Sequence, residues 1–208
     1  MSTRRAPRWL LAAAVVVVAT VAVAGCGGGS TPSVASGGMA QAARPTGTSG
    51  SLDSLPPCPH LSHAKPVAGG LPDLTLPCLG RGPEVTLSDL RVRPLVVNVW
   101  AAWCTNCRRE MPLYREAMRR AGDRLRFFGV HFKAPRGFGL RSAADFGVPF
   151  PSVQDTDGDR VFESLHVYAP PVTLFVAADG TVQGRKVGEI RSEAELAGLV
   201  HEYLGVSL

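Results

Sequence analysis

One stretch of this chain limits its possible folds more than any other, because an apolar run leads almost directly into a pair of cysteines. The β-branched residues of that run, residues 96–100, predict a buried strand. Residues 108–121 place apolar side chains on one side and arginines on the other, which predicts a helix. Cys104 therefore stands where a strand passes into a helix N-terminus, and Cys107 lies about one helical turn further on.

This placement suits thiol chemistry. The free N–H groups and the positive dipole end of a helix N-terminus favour an anion, here the thiolate of Cys104. Cys107 is close enough to attack a mixed disulfide formed by Cys104, so the pair is able to exchange disulfides. Two alternatives are a closed disulfide that never cycles and half of a zinc site, although the chain has no second Cys-x-x-Cys pair to complete such a site.

The first 25 residues have the features of an export signal that is removed from the mature protein. Arg4, Arg5 and Arg8 precede an apolar run, residues 9–24, that is short for a membrane span. Small residues then precede Cys26, an arrangement that resembles a bacterial lipobox. We therefore expect Cys26 to become the lipidated first residue and to anchor the protein at the extracytoplasmic face of the cell membrane. The alternative is an ordinary signal peptide with an incidental cysteine.

Removal of this signal changes what the net charge implies. The whole chain has 22 basic and 17 acidic residues and a formal charge of +5, but residues 1–25 contain three arginines and no acid. The mature chain therefore carries +2, which gives no reason to expect a nucleic-acid partner.

Residues 26–55 are predicted to be a flexible linker. From residue 27 to residue 55, 22 of 29 positions are Gly, Ser, Ala, Thr or Pro, so this segment has too few large apolar side chains to build a core. Residues 56–208 remain, enough for one domain with a single core, which we expect to span about residues 70–205.

The patterning of this domain predicts an α/β fold. Strands are expected at residues 71–76, 85–87, 95–100, 126–130, 173–176 and 181–187, and helices at residues 108–121, 142–146 and 193–203. Ser192 and Glu195 form a capping box at the start of the last helix. Two βα units followed by a hairpin and a helix predict a central mixed sheet with helices on both faces.

At this point the chain resembles the thioredoxin superfamily, in its TlpA/ResA-like, membrane-anchored branch. The resemblance covers roughly residues 70–208. The residues that carry it are Leu71-Pro72-Asp73-Leu74, Leu87-Ser88-Asp89-Leu90, Asn98 through Pro112, Phe146-Gly147-Val148, Pro151, Asp157-Gly158 and Pro171-Val172-Thr173-Leu174-Phe175. A lone Cys-x-x-Cys is a weak signal, but the Trp before it, the Glu and Pro after it and the Pro-x-Thr strand entrance together are specific.

The resemblance implies a thioredoxin-like fold and an exported thiol–disulfide oxidoreductase without a cofactor or a metal. Cys104 would attack the disulfide of an extracytoplasmic protein, and Cys107 would resolve the intermediate. The resemblance favours a reductant, for example in cytochrome c maturation, that a membrane electron donor recharges. The runner-up is an oxidant that forms disulfides.

The resemblance also implies a docking surface for the partner. Trp103, Thr105 and Asn106 would shape it beside the dithiol, together with Pro170 and Pro171. Pro171 is expected to be the cis-proline that packs against the dithiol, the alternative being an ordinary trans turn proline.

Three residues depart from the family pattern. Asn106 stands where much of the family has proline, so a redox potential does not carry over. Asn98 replaces the buried acid of cytoplasmic thioredoxins, which removes a carboxylate relay and leaves a buried amide that we expect to be satisfied. Pro170 has no N–H to donate to an extended partner.

Counting assigns the remaining cysteines. One lipidated and two catalytic cysteines leave Cys58 and Cys78 out of five, and in an exported protein these two most simply form a structural disulfide. The alternative is a second reactive thiol pair.

Two further function classes are weaker. A peroxiredoxin-type thiol peroxidase needs a Thr three residues before the reactive cysteine, where this chain has Ala101. A copper carrier would use both dithiol sulfurs and His166. The sequence assigns no role to Glu110 or to His166.

Overall fold

The computed structural model describes residues 51–208, apart from Val92. The strands are β1 Thr75–Leu76, β2 Val85–Thr86, β3 Leu95–Trp100, β4 Arg126–Phe132, β5 Ser152–Asp155, β6 Val172–Val176 and β7 Val182–Val187. The helices are α1 Thr105–Ala121, α2 Arg136–Phe146, α3 Asp159–Leu165 and α4 Glu193–Leu204. The signal peptide, Cys26 and residues 26–50 of the predicted linker lie outside the described residues.

Strand β3 is the centre of a five-stranded mixed sheet with the order β5-β4-β3-β6-β7. It pairs in parallel with β4 and antiparallel with β6, and β4 in turn pairs in parallel with β5. All six residues of β3 are buried, as the β-branched run predicts for a strand covered on both faces. The strands β1 and β2 form a separate two-stranded sheet.

Helices cover both faces of the main sheet, which confirms the predicted architecture. One core cluster joins Val96 and Trp100 to the buried sides of α1, α2 and α4. The other joins Val97 and Val99 to α3 and to the small sheet of β1 and β2. Alternate residues of β3 therefore belong to opposite cores, as the two-residue period of a strand requires. None of the helices in the described part of the chain has the length and apolar character needed to cross a bilayer.

The structure adds elements that the sequence did not reveal. Strand β5 was not predicted, because its polar residues Ser152 and Gln154 alternate with Val153 in only four positions and a proline precedes it. Helix α3 was also missed, since the Asp-rich segment before it predicts a turn. Helix α1 begins three residues earlier than predicted, and α2 begins six residues earlier.

The folded part of the chain also includes residues assigned to the linker by composition. Leu52–Ser54 form a 3₁₀ turn, and Leu55 is buried in the core cluster that includes the buried side of α1. A disulfide joins Cys58 to Cys78, and Cys78 forms an isolated bridge with Val153 of β5. This disulfide therefore ties the N-terminal segment to the edge of the main sheet.

We predict that this disulfide contributes stability and takes no part in turnover. Cys58→Ala combined with Cys78→Ala opens a loop of 20 residues, which should lower the free energy of unfolding by about 3 kcal/mol. Urea unfolding of the double variant and the parent measures this difference, and disulfide reduction by the double variant should persist. Loss of activity at unchanged stability would assign these cysteines to the reaction instead.

Candidate active site

The candidate active site is the disulfide between Cys104 and Cys107 at the start of α1. Cys104 is the N-cap residue, and its Sγ accepts a hydrogen bond of 3.1 Å from the backbone N–H of Cys107. Cys104 is 5% exposed and Cys107 is fully buried. A partner sulfur therefore reaches Cys104 first, and the N–H groups of the first helical turn are in place to stabilise a thiolate there.

Three of the predicted docking residues lie at the surface beside Cys104. Trp103 is 56% exposed, and its Nε1 donates a hydrogen bond of 3.1 Å to the backbone carbonyl of Lys133. Thr105 and Asn106 are exposed in the first turn of α1. The side chain of Trp103 is thus fixed at one end although most of it faces solvent.

Pro170 and Pro171 precede β6, and the sheet register brings them to the same end of the sheet as the dithiol. Val172 pairs with Val99, the residue before the end of β3. The Pro170–Pro171 peptide bond is cis, and the carbonyl of Pro171 accepts a hydrogen bond from Gly188. Pro170 is partly exposed and has no N–H group, so the backbone offers no hydrogen-bond donor to a partner at this position.

Glu110 is a fully buried carboxyl group one helical turn beyond Cys107 on the buried side of α1. Its Oε1 accepts a hydrogen bond of 2.6 Å from the backbone N–H of Ile190, and its Oε2 lies 3.5 Å from Asn98 Nδ2. Burial raises the pKa of Glu110 to about 8, and the hydrogen bonds from Ile190 and Asn98 oppose this only in part. The carboxyl group is therefore largely protonated at neutral pH.

Asn98 belongs to a buried polar chain that joins α1 to the neighbouring strands β3 and β6. Its Nδ2 donates to the hydroxyl of Tyr114 over 3.0 Å, and that hydroxyl is 2.8 Å from Thr173 Oγ1 on β6. Its Oδ1, however, has no partner among the residues that the structure describes. The amide nitrogen is satisfied as expected, since both Tyr114 and Glu110 accept from it.

An ion pair holds the connection between β7 and α4 against α1. Arg109 contacts both carboxylate oxygens of Glu189, at 2.7 and 2.9 Å, and its other contact is the side-chain carbonyl of Asn106. Since Glu110 binds the next residue, Ile190, two consecutive residues of α1 bind two consecutive residues of this connection. One sign of this arrangement is visible in the sequence, a glutamate on the apolar side of a helix, but its partner is not.

His131 is a buried residue that the sequence analysis missed. It lies on β4 beside Trp100, with ring centroids 4.8 Å apart, and is packed closely against Gly139 of α2. Neither ring nitrogen has a hydrogen-bond partner within the described residues. Burial lowers the pKa of His131 to about 4, so the imidazole is neutral near pH 7.

His166, which a copper carrier would add to the two sulfurs, stands at the C-terminal end of α3. It is exposed, it ends α3 in a left-handed conformation, and its backbone carbonyl accepts from Arg185. No hydrogen bond connects its ring to Cys104 or Cys107 in the part of the chain that the structure describes.

Comparison with known proteins places this geometry in a family. Residues 67–185, more than half of the chain, match the AhpC/TSA family. The thiol:disulfide interchange protein DsbE of Pseudomonas fluorescens biotype C is 32% identical over 120 residues, which cover 57% of this chain and 65% of that protein. The thiol-disulfide oxidoreductase ResA of Geobacillus kaustophilus is 31% identical over 130 residues, which cover 61% of this chain and 72% of that protein.

A solved structure supports the fold. MTB DsbF, determined in mixed oxidized and reduced forms, superposes with a TM-score of 0.56 at 25% identity and covers 64% of this chain and 98% of that chain. The thioredoxin-like fold predicted from the sequence is therefore confirmed. The chain spans slightly less than two thirds of the P. fluorescens relative. The enzyme class predicted from the sequence is also the class that the names of the two relatives give.

The buried carboxyl group leads to a prediction about pH. The pKa of Glu110 is about 8 in the folded state and 4.5 as the ordinary value, so between these pH values the folded state holds a proton that the unfolded state has lost. The contribution of this group to the free energy of unfolding is therefore fully present below pH 4.5. It falls as pH rises from there through 8, by up to about 5 kcal/mol in total. Glu110→Gln keeps an acceptor for Ile190 and should remove this part of the pH dependence.

Urea unfolding of the oxidised protein at several pH values measures the effect. Glu202→Gln, which changes an exposed glutamate of α4, is the matched control and should leave the parent's profile unchanged. Equal profiles for the parent and Glu110→Gln would mean that Glu110 is ionised in the folded protein at neutral pH.

Proposed function

This chain belongs to the AhpC/TSA family, and on that basis we propose that it is a thiol–disulfide oxidoreductase acting on extracytoplasmic proteins through Cys104 and Cys107. The observation that carries the proposal is the placement of the two sulfurs. Cys104, at the helix N-terminus, is the more accessible sulfur, and the fully buried Cys107 donates its backbone N–H to it.

The reaction exchanges two electrons and needs no cofactor. In the reduced protein the Cys104 thiolate attacks one sulfur of a partner disulfide, which forms a mixed disulfide and releases the other partner sulfur as a thiolate that takes up a proton. Cys107 then loses its proton and attacks Cys104 Sγ. This step forms the Cys104–Cys107 disulfide, releases the second partner thiolate and leaves the partner reduced by two electrons.

The direction that we propose is reduction, with cytochrome c maturation as one setting and a membrane electron donor that returns the dithiol to its reduced form. The resemblance to the TlpA/ResA-like branch supports this direction. A reductant must have a lower reduction potential than the disulfides that it reduces. Equilibration with glutathione redox mixtures measures the potential, and a value well above that of the glutathione couple would indicate an oxidant.

Peroxide reduction is the weaker reading of the family match. Ala101 occupies the position three residues before Cys104, where a peroxidase of this fold would have a threonine hydroxyl. The side chain of Ala101 is buried and offers no polar atom to a peroxide. The geometry therefore supports exchange with a partner disulfide better.

The roles of the two sulfurs give a direct test. Cys107→Ser should accumulate mixed disulfides with partner proteins through Cys104, because the resolving sulfur is missing. Cys104→Ser should accumulate none, because the buried Cys107 is not accessible to a partner. Non-reducing electrophoresis with mass spectrometry identifies the adducts. Adducts on Cys107 in Cys104→Ser, with none in Cys107→Ser, would show that Cys107 is the attacking sulfur and Cys104 the resolving one.

We also propose that Cys26 is lipidated and holds the protein at the extracytoplasmic face of the cell membrane. The sequence supports this through the apolar run before Gly25-Cys26, and the Gly- and Ser-rich segment after it would act as a flexible tether. Mass spectrometry of the mature N-terminus should find a diacylated Cys26. An unmodified N-terminus at another residue would show a conventional signal peptide.

A further inference from the structure

We infer that the dithiol end of the sheet is a docking surface for an extended polypeptide segment that carries a large apolar side chain next to its disulfide and an acidic side chain on one flank. This inference rests on the proposed function and adds a partner chemistry to it. The surface consists of Trp103, Phe138, Phe162 and Tyr168 with the guanidinium groups of Arg108 and Arg141, and we call it the aromatic rim.

The topology of the sheet brings the four aromatic residues to one end. Strands β3, β4 and β5 are parallel, so the segments that follow them leave the sheet at the same end. Trp103 follows β3, Phe138 lies in α2 after β4, and Phe162 lies in α3 after β5. Tyr168 precedes β6, which is antiparallel to β3 and so starts at that end.

These rings are unusually exposed for large apolar side chains. Trp103 and Phe138 are each 56% exposed, Phe162 is 44% exposed and Tyr168 is 77% exposed. Phe162 and Tyr168 contact each other edge to face, with centroids 5.1 Å apart. Large apolar side chains that lie at the same end of the sheet as a reactive site and are left open to water are characteristic of a binding surface.

The rim is held in place on the Trp103 side. Lys133 has φ 49°, a left-handed conformation that is unfavourable for a residue other than glycine. Its N–H donates to the backbone carbonyl of Asp155 and its carbonyl accepts from the Trp103 indole, so both polar groups of this backbone unit are used. A ring that is fixed before the partner arrives loses little conformational entropy when it binds.

Two cations on this side have no carboxylate partner within ion-pair distance among the described residues. The Arg108 guanidinium lies 5.8 Å from the centroid of Phe146, and that of Arg141 lies 4.6 Å from the centroid of Phe138. The neighbouring Arg109 differs, since Glu189 neutralises it. Arg108 and Arg141 are therefore available to an acidic residue of a partner.

Charge on the rim is polarised. Helix α2 carries Arg136 and Arg141 against one acid, Asp145, whereas the α3 side carries three exposed acids, Asp157, Asp159 and Glu163, against one arginine, Arg160. A partner with an acid on the Arg108 side is attracted, and one with acids on the α3 side is repelled. The rim therefore selects for the position of the charge as well as for its sign.

Synthetic peptides that each contain one intramolecular disulfide test the inference. The first peptide carries Phe beside a cysteine and Glu on both outer flanks, the second replaces Glu by Lys, and the third replaces Phe by Ser. Two further peptides carry Glu on one flank and Lys on the other, in either order. The reduced protein should react with the first peptide with a kcat/KM about fivefold higher than with the second and about tenfold higher than with the third.

Matched variants show whether the rim causes these preferences. Arg108→Gln with Arg141→Gln should abolish the preference for Glu over Lys, and Phe138→Ser with Tyr168→Ser should abolish the preference for Phe over Ser. Arg93→Gln with Arg126→Gln removes the same charge at the opposite end of β3 and β4 and should leave both preferences unchanged. High salt should reduce the charge preference alone, because the Debye length falls to about 3 Å at 1 M.

The outcomes separate this inference from the proposed function. Bis(2-hydroxyethyl) disulfide is neutral and small, so failure of the parent protein to reduce it would overturn the thiol–disulfide exchange itself. Reduction of this compound together with equal kcat/KM for all five peptides would overturn the docking inference alone. The same holds if the preferences persist in the rim variants, or if the two mixed-charge peptides react at equal rates.

Discussion

The burial of β3 on both faces and both edges is the constraint on which the rest of the structure depends. Hydrogen bonds to β4 on one side and to β6 on the other fix its register, and two separate cores cover its alternate side chains. A strand held in this way ends at a defined point. Trp100 and the short turn after it therefore deliver Cys104 to the first residue before α1, where the backbone N–H groups can stabilise a thiolate.

Helix α1 links the reactive sulfurs to distant parts of the chain. Its buried side carries Cys107 and Glu110, and Glu110 binds the N–H of Ile190, a residue 80 positions away in sequence. The adjacent Arg109 binds Glu189, so the connection to α4 is attached to α1 both at the surface and in the interior. Of the two cysteines, Cys104 is thus the more accessible, while the groups that position the helix are buried beneath it.

Sequence patterning identified the elements whose side chains repeat strongly and missed those whose side chains do not. The β-branched run of β3 and the capping box of α4, in which Ser192 Oγ accepts from the N–H of Glu195, have local causes and were predicted. Strand β5 has four residues, two of them polar, and is stabilised by pairing with β4 rather than by its own composition. Helix α3 starts within an Asp-rich segment, and the Asp155 carboxylate accepts from the N–H of Val161 and so stabilises this start across the turn.

The sequence by itself determined the chemistry: two cysteines at helix-turn spacing after a buried strand, a tryptophan before them and a Pro-x-Thr entrance to a later strand. These signals survive without a structure because each depends on residues a few positions apart. The tertiary structure alone decided which groups surround the sulfurs. The Ile190 partner of Glu110, the burial of His131 beneath Gly139 and the edge-to-face contact of Phe162 with Tyr168 all join residues from separate elements. Such contacts depend on strand order and register. Local sequence patterns do not determine either, because strands that are far apart in sequence come together only when the sheet forms.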